Sequence, residues 1–214
     1  MSPISRPSRA WILAALAVAL AACAALSGPP TRNLYQVTPA TGFPAGLPHA
    51  TVQLRVDTPT AAPGLDTNRI ALSHTPVSLD YFADSIWADR VPEMVRTALV
   101  ETFENSGAVD AVGSGAFGLN ADFELKPEVR EFTAIYDSAV GANGPPTVAV
   151  TLALKLIKMP ERTIAAQTSV TDRQVAATNE IQAIVVAFNT ALGQAMKQAV
   201  VWTVTNPALS QKRR

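Results

Sequence analysis

Cysteine and histidine are nearly absent from this sequence. Its 214 residues include one cysteine, Cys23, and two histidines, His49 and His74. A single thiol excludes an intramolecular disulfide, and a zinc site needs three or four Cys, His or carboxylate ligands. Neither histidine has such neighbours at metal-ligand spacing. We therefore predict no metal and no cofactor, and interpret both histidines as ordinary loop residues.

Clustered positive charge is also missing. Beyond residue 22 the chain has 15 basic and 17 acidic residues, a formal net charge of −2. Nucleic-acid binding requires clustered Lys and Arg, so no nucleic-acid partner is predicted. The one basic cluster is Lys212–Arg214. We interpret it as a solvated, frayed tail, with contact to anionic lipid headgroups as the alternative.

The common catalytic signatures are absent as well. The glycine-rich segment 113–118 has neither dinucleotide-loop spacing nor the Lys-Ser/Thr ending of a phosphate-binding loop, and no G-x-S-x-G elbow occurs. Asp80, Asp84 and Asp89 flank aromatic residues without a partner base or EF-hand spacing. We predict that the protein is not an enzyme, although residues far apart in sequence can also assemble a catalytic site.

The N-terminus is basic and then apolar. Arg6 and Arg9 precede the run Ala10–Leu20, and the first acidic residue is Asp57. This order is typical of a secretory signal peptide. A membrane-spanning helix needs about 20 apolar residues, a length that this run reaches only if it continues to Leu26. An uncleaved span is therefore the less favoured alternative.

The segment LAAC, residues 20–23, resembles a bacterial lipobox. We predict a lipoprotein signal peptide over residues 1–22 and a lipidated Cys23 as the first mature residue; an ordinary signal peptide is the alternative. Each buried methylene contributes about 0.8 kcal/mol, so two or three acyl chains give a stable membrane anchor. Ala24 follows the cysteine where aspartate commonly signals retention in the inner membrane. This favours the periplasmic face of the outer membrane, with the inner membrane less favoured.

The remaining chain divides into a tether, one domain and a tail. Residues 23–31 are small and proline-rich beyond the cysteine, as expected of a short tether, and extend to at most about 25 to 30 Å. Residues 32–206 are predicted to form a single α+β domain, and residues 207–214 a basic tail. The domain is long and apolar enough to bury a core.

Period-two alternation predicts most of the strands. The clearest are 51–57, with Val52, Leu54 and Val56 on one face, and 147–158, whose valines and leucines at alternate positions need a cover. Further extended segments are predicted at 32–38, 69–73, 77–82, 109–112, 121–137 and 162–172. Three of these, from residue 121 to 172, form a predicted antiparallel meander.

Two amphipathic helices complete the predicted fold. The first runs from about Arg90 to Ser106, capped by Asp89 and ended by Gly107. The second runs from Glu180 to about Thr205, capped by Thr178 or Asn179 and stopped by Asn206-Pro207. We predict an α+β fold in which a largely antiparallel sheet has both helices packed on one face.

One aromatic cluster stands out in a chain with few aromatic residues. Tyr81, Phe82 and Trp87 lie between the predicted strands and the first helix. Core packing is the favoured explanation. The alternative is a partner-binding patch, because Trp and Tyr concentrate at interaction hot spots. These three residues are the candidate partner-binding site.

The order of these features resembles the ABC-type transport auxiliary lipoprotein family, the group that contains the PqiC-type lipoproteins. The resemblance covers nearly the whole mature chain. Its most specific parts are the RIAL segment Arg69–Leu72, the Y-x5-W-A-D segment Tyr81–Asp89 and the pair Ser106-Gly107. None of these is a catalytic signature.

The resemblance implies a non-enzymatic partner of an MCE-type ABC system that moves lipids between the two membranes of a diderm bacterium. The expected partners are the membrane, through acyl chains on Cys23, and an MCE-type periplasmic protein that leads to an ABC permease and ATPase. Homo-oligomeric rings occur among PqiC-type members. An envelope-assembly or structural lipoprotein that chaperones an outer-membrane component is the alternative function.

Overall fold

The computed structural model describes residues 32–115, 121–137 and 144–210. The predicted signal peptide, Cys23 and the tether lie outside these residues, as do 116–118 of the glycine-rich segment and the cluster Lys212–Arg214. The elements in chain order are β1 (Asn33–Tyr35), β2 (Ala50–Val56), β3 (Thr60–Ala61), β4 (Arg69–Ser73), β5 (Asp80–Trp87), α1 (Val91–Ser106), β6 (Val109–Ser114), β7 (Phe123–Ile135), β8 (Thr147–Lys158), β9 (Thr163–Val175), α2 (Ile181–Val204) and a 3-10 helix (Pro207–Ser210).

Strand β7 is the centre of the sheet. Along one edge it pairs antiparallel with β8 from Phe123↔Lys158 to Ile135↔Thr147. Along its other edge three short strands, β2, β3 and β4, pair with it in parallel, one after another. β6 and β5 extend the sheet beyond β2 and β4, and β1 pairs in parallel with β5. The length of β7 therefore joins the two halves of the chain.

The antiparallel half follows the sequence pattern closely. β8 pairs with β9 along its whole length, and its alternate residues from Val148 to Leu156 are fully buried. α2 packs over β8 and β9 and contributes Phe188, Leu192 and Met196 to the same core. The predicted cover for β8 is thus α2, as expected from the apolar stripes of both elements.

The other half contains the parallel pairs that periodicity did not predict. β3 is an additional short strand, and β5 runs from Asp80 to Trp87 in place of the predicted 77–82. α1 packs against β2, β6 and α2. The α+β class, with helices on one face of a mostly antiparallel mixed sheet, is confirmed.

The helix ends differ in part from the prediction. Gly107 ends α1 in the left-handed conformation at φ 59°, as predicted for a residue without a Cβ. The predicted side-chain caps are wrong: Arg90 and Glu180 hold the N-cap positions, and neither helix has a side-chain cap hydrogen bond. Asp89 instead accepts a hydrogen bond from the Arg90 backbone N–H at 2.7 Å, and Asn179 accepts one from the Tyr136 hydroxyl at 2.7 Å.

The end of α2 also corrects the predicted tail. Pro207–Ser210 form a 3-10 helix, and Leu209 is buried in the core, so this part of segment 207–214 packs against the body. Within residues 32–115, 121–137 and 144–210, no helix is both long and apolar enough to cross a membrane.

Candidate functional site

Strand β5 carries the three aromatic residues of the candidate site. The register between β4 and β5 shifts, since Arg69 lies opposite Ile86 whereas Ala71 lies opposite Tyr81. This irregularity breaks simple alternation along β5. Exposed and half-buried residues therefore occupy its first five positions, whereas Ser85 and Trp87 near its end are buried.

Trp87 is a core residue. It is fully buried, and its ring lies edge-on to Phe188 of α2, with centroids 5.3 Å apart, and 5.6 Å from Phe132 of β7. Such tilted and edge-to-face arrangements are the favoured geometries for aromatic pairs. The partner-binding prediction is therefore wrong for Trp87, because its side chain joins sheet and helix and does not reach the surface.

Tyr81 and Phe82 are half-buried. The Tyr81 hydroxyl donates a hydrogen bond to the Gly64 carbonyl oxygen at 3.0 Å, and the Arg69 guanidinium lies 3.8 Å from the centre of the Tyr81 ring. Phe82 packs against the edge of the core. Both rings keep part of their surface accessible, so partner binding by these two residues stays a prediction.

The first half of β5 has an open edge. β1 is three residues long and pairs only with Ser85–Trp87. In the described part of the chain no strand pairs with Asp80–Asp84 on that side of β5. We call these five residues the open β5 edge. Unpaired backbone N–H and C=O groups at such an edge are a template for strand addition by a partner.

A cleft with both polar and apolar lining residues lies near this edge. It has a volume of about 640 Å³ and is bounded by the loop 73–79 and the ends of β7, β8 and β9. His74 stacks on Tyr136 with ring centres 4.9 Å apart, and Arg173 donates to Glu131 at 3.1 Å. Burial raises the pKa of Tyr136. Arg173 and Glu131 are ion-paired with each other, and the pair does not supply a nucleophile with an adjacent base.

His49 forms a contact that sequence spacing did not reveal. Its Nδ1 lies 2.9 Å from the Gly107 carbonyl oxygen and its Nε2 lies 2.8 Å from Asp110 Oδ1. The hydrogen bond to Asp110, followed by that to Gly107, raises the pKa of His49 above 6.5. Asp110 is 61 residues away in sequence, so only the pairing of β2 with β6 brings the two together.

The described residues contain no group of three or more His, Cys, Asp or Glu side chains that could hold a metal ion. His49 has a single carboxylate partner, and His74 stacks on a tyrosine. The other notable features of the described residues are an open strand edge, two half-exposed aromatic rings and the cleft at the loop 73–79.

The described residues define an α+β fold class: a central mixed sheet with two helices and an open strand edge. The particular family follows from comparison: residues 33–200 match the ABC-type transport auxiliary lipoprotein component family. The chain belongs to this family, which confirms the resemblance inferred from its sequence. The family consists of lipoprotein components of transport systems in the cell envelope and is not a known class of enzymes.

Individual relatives agree with this assignment. A crystal structure of a protein from Xanthomonas campestris is 26% identical, with a TM-score of 0.76, and the match covers 84% of this chain and 99% of that one. A second crystal structure, of an uncharacterized protein, is 16% identical with a TM-score of 0.54 over 85% of this chain and 99% of the other, and shows the fold alone. An uncharacterized Bradyrhizobium diazoefficiens protein is 28% identical over 71% of this chain, which spans 39% of that relative's length.

Proposed function

We propose that the protein is a non-enzymatic periplasmic lipoprotein, anchored through acyl chains on Cys23, that docks an MCE-type ABC lipid-transport assembly at the outer membrane. The observation that carries the proposal is the family match over residues 33–200, since that family comprises auxiliary lipoproteins of ABC-type transport. The lipobox at residues 20–23 supplies the anchor, and Ala24 favours the outer membrane.

A docking role fits the geometry better than a carrier role. The apolar faces of β8 and α2 pack against each other. A lipid carrier instead needs an apolar cavity of several hundred Å³. The cleft at the loop 73–79 is open and has a mixed lining, in which Glu131 and Arg173 lie beside apolar residues such as Leu79. The tether holds the body within about 25 to 30 Å of its anchor, so a partner must span the rest of the periplasm.

The docking surface is the open β5 edge. An extended segment of the MCE-type protein adds to Asp80–Asp84 as a strand, and Tyr81 and Phe82 contact its side chains. Main-chain hydrogen bonds supply the affinity in strand addition, and flanking pockets supply the specificity.

The anchor is tested by Cys23→Ala. We expect the wild-type chain to fractionate with membranes and incorporate labelled fatty acid, because two or three acyl chains bind a bilayer stably. The variant should remain unprocessed or appear as a soluble exported form. Identical fractionation of the two, with no acyl label in either, would refute the lipoprotein assignment.

The docking role is tested by co-purifying the lipoprotein with an MCE-type protein from the same organism and by mass spectrometry of bound lipid. A stable complex without stoichiometric phospholipid supports docking. Stoichiometric phospholipid without a complex would instead identify a carrier. Neighbouring genes for barrel or glycan assembly, in place of an ATPase, a permease and an MCE protein, would favour the envelope-assembly function.

A further inference from the structure

Exposed apolar side chains concentrate at one end of the sheet. Ser73 of β4, Ile135 of β7, Thr147 of β8 and Val175 of β9 form one row across the sheet, and β5 begins beside the end of β4. We call this the hairpin end. Three of the six large apolar side chains that are exposed in the described residues lie there: Val77, Leu79 and Val175.

Val77 is the most exposed of the three. Its side chain is 96% exposed and follows Pro76 in the loop that joins β4 to β5. This loop is held by its own hydrogen bonds: the Ser73 hydroxyl donates to the Thr75 carbonyl oxygen at 2.6 Å, and the Ser78 N–H donates to the same oxygen at 3.1 Å. Val77 is therefore presented to solvent by an ordered turn.

Leu79 of the same turn is 42% exposed, and one of its terminal methyl groups packs over Gly64. Val175 is 68% exposed at the end of β9, across the cleft that the loop 73–79 borders. Exposed apolar side chains grouped at one end of a soluble body indicate an interaction surface, whereas singly scattered ones are ordinary.

The direction of β1 indicates what this surface meets. Asn33 lies beside Ser85, and β1 runs parallel to β5, so β1 begins on the side of the hairpin end. That end is five residues, or roughly 17 Å, away along β5. Ten residue steps separate Cys23 from Asn33, and they extend to at most about 33 to 36 Å. The extended length between Cys23 and β1 therefore exceeds the distance from Asn33 to the hairpin end.

We propose that the hairpin end rests on the bilayer that holds the anchor, with the Val77 side chain inserted among the lipids. The proposal rests on acylation of Cys23. It adds a protein contact that fixes which end of the sheet faces the membrane. The opposite end, where β7 begins and where Ile164 lies near the start of β9, then faces away from the membrane.

The charge of the hairpin end requires this contact to be apolar. Its described loops, 74–79, 144–146 and 176–180, contain no Lys or Arg; they include His74 and Glu180, and Asp80 and Asp137 border them. Arg173 is engaged with Glu131. A contact of this composition gains nothing from anionic lipids, so neither a higher content of anionic lipid nor a lower salt concentration should strengthen it.

Cysteine scarcity makes a site-specific test straightforward. With Cys23 acylated, Val77→Cys provides the one free thiol of the mature chain, which is labelled with the fluorophore NBD. The lipoprotein is reconstituted into phosphatidylethanolamine and phosphatidylglycerol vesicles containing a doxyl-labelled lipid quencher. The matched control is Ile164→Cys, a side chain 59% exposed at the opposite end of β9.

Apolar insertion to about 5 to 10 Å should bring the probe at position 77 within reach of the quencher. We expect strong quenching and blue-shifted emission at 77 and little of either at 164, with no increase at lower salt or at higher phosphatidylglycerol content. Equal quenching at the two positions overturns the proposal. The proposal is also overturned if the probe at position 77 is shielded from lipid and water only after the MCE-type protein is added, because the surface then binds a protein partner.

A second preparation separates this proposal from acylation. A histidine tag replaces residues 1–22, Cys23 is changed to Ser, and the chain binds vesicles through a nickel-chelating lipid with the tether length preserved. Quenching at 77 but not at 164 in this preparation supports the hairpin-end contact even if flotation shows that the native chain carries no lipid. If the native chain is acylated but the probe at position 77 is not quenched in this second preparation, the hairpin-end contact is wrong while the lipid anchor stands.

Discussion

The two halves of strand β5 differ in almost every physical respect. Ser85–Trp87 are paired on both sides, by β1 and by β4, and Trp87 is buried against residues from β7 and α2. Within Asp80–Asp84, Asp80 and Tyr81 pair with β4, no other described strand pairs with these five residues, and none of their side chains is fully buried. One strand thus supplies a core anchor and an accessible edge within eight residues. Substitutions in the first part should alter stability, and those in the second should alter binding.

The largest effect should come from Trp87→Ala. Removal of a fully buried aromatic ring leaves a cavity between sheet and helix, and we expect the free energy of unfolding to fall by about 3 to 5 kcal/mol. Chemical denaturation of the purified protein measures this loss. A decrease below about 1 kcal/mol, or lost partner binding with unchanged stability, would contradict the assignment of Trp87 to the core.

Trp87→Phe is the matched control. The indole Nε1 has no hydrogen-bond partner in the described part of the structure, so losing this N–H forfeits no hydrogen bond. Phenylalanine retains most of the contact with Phe132 and Phe188. The control should therefore be clearly more stable than the alanine variant, which would attribute the loss to cavity formation.

A smaller effect on stability, but a clear effect on binding, should follow from Ala83→Lys. Ala83 is exposed on the open β5 edge, and surface changes of this kind usually alter stability by less than about 0.5 kcal/mol. A charged lysine protects an edge against strand addition. We expect affinity for the MCE-type protein to fall about tenfold or more, equivalent to about 1.4 kcal/mol.

Ser169→Lys provides the control for this edge. Ser169 is exposed on β9, which also pairs with a strand on one side only. Unchanged binding by this variant would locate docking at β5. If Ser169→Lys weakens binding and Ala83→Lys does not, the docking strand belongs on β9 and the proposed site is wrong.

The sequence predicts the antiparallel half of the fold far better than the parallel half. Alternation in β8 and the apolar stripe of α2 are local patterns that fix which faces are buried. The pairing of β2, β3 and β4 along one edge of β7 depends on segments far apart in the chain, and their short lengths carry little periodicity. Non-local register of this kind is not encoded in any single window of sequence.

The candidate site shows the same division. The aromatic cluster is visible in the sequence, but the register shift between Arg69 and Ala71 decides that Trp87 points into the core whereas Tyr81 stays half-exposed. The sequence does not reveal the hairpin end because Val77 and Val175 are almost 100 residues apart and lie at the same end of the sheet only through the order of the strands. Single exposed valines carry no signal until the topology groups them.

The smallest expected effect concerns His49, an exposed contact at the end of α1. Its Nδ1 faces the Gly107 carbonyl and its Nε2 faces Asp110, and both nitrogens donate only in the protonated ring. The pKa of His49 is accordingly raised above 6.5 in the folded protein, first by Asp110 and then by Gly107. Its stabilising contribution is complete below the unfolded-state pKa and is lost as the pH rises through the folded-state pKa.

Thermal unfolding across about pH 6 to pH 8 tests this contact, since that range brackets the histidine titration. The stability advantage of wild type over His49→Ala should be largest at the acid end and shrink as the pH rises, because deprotonation removes one of the two donors. Asp110→Asn keeps the histidine but removes the charge that favours the imidazolium. The difference in thermal stability between Asp110→Asn and His49→Ala should therefore depend less on pH. A difference between wild type and His49→Ala that stays constant over this range would show that the ring is held by shape alone. His49 and Trp87 would then differ in burial, and the charge of His49 would not contribute to stability.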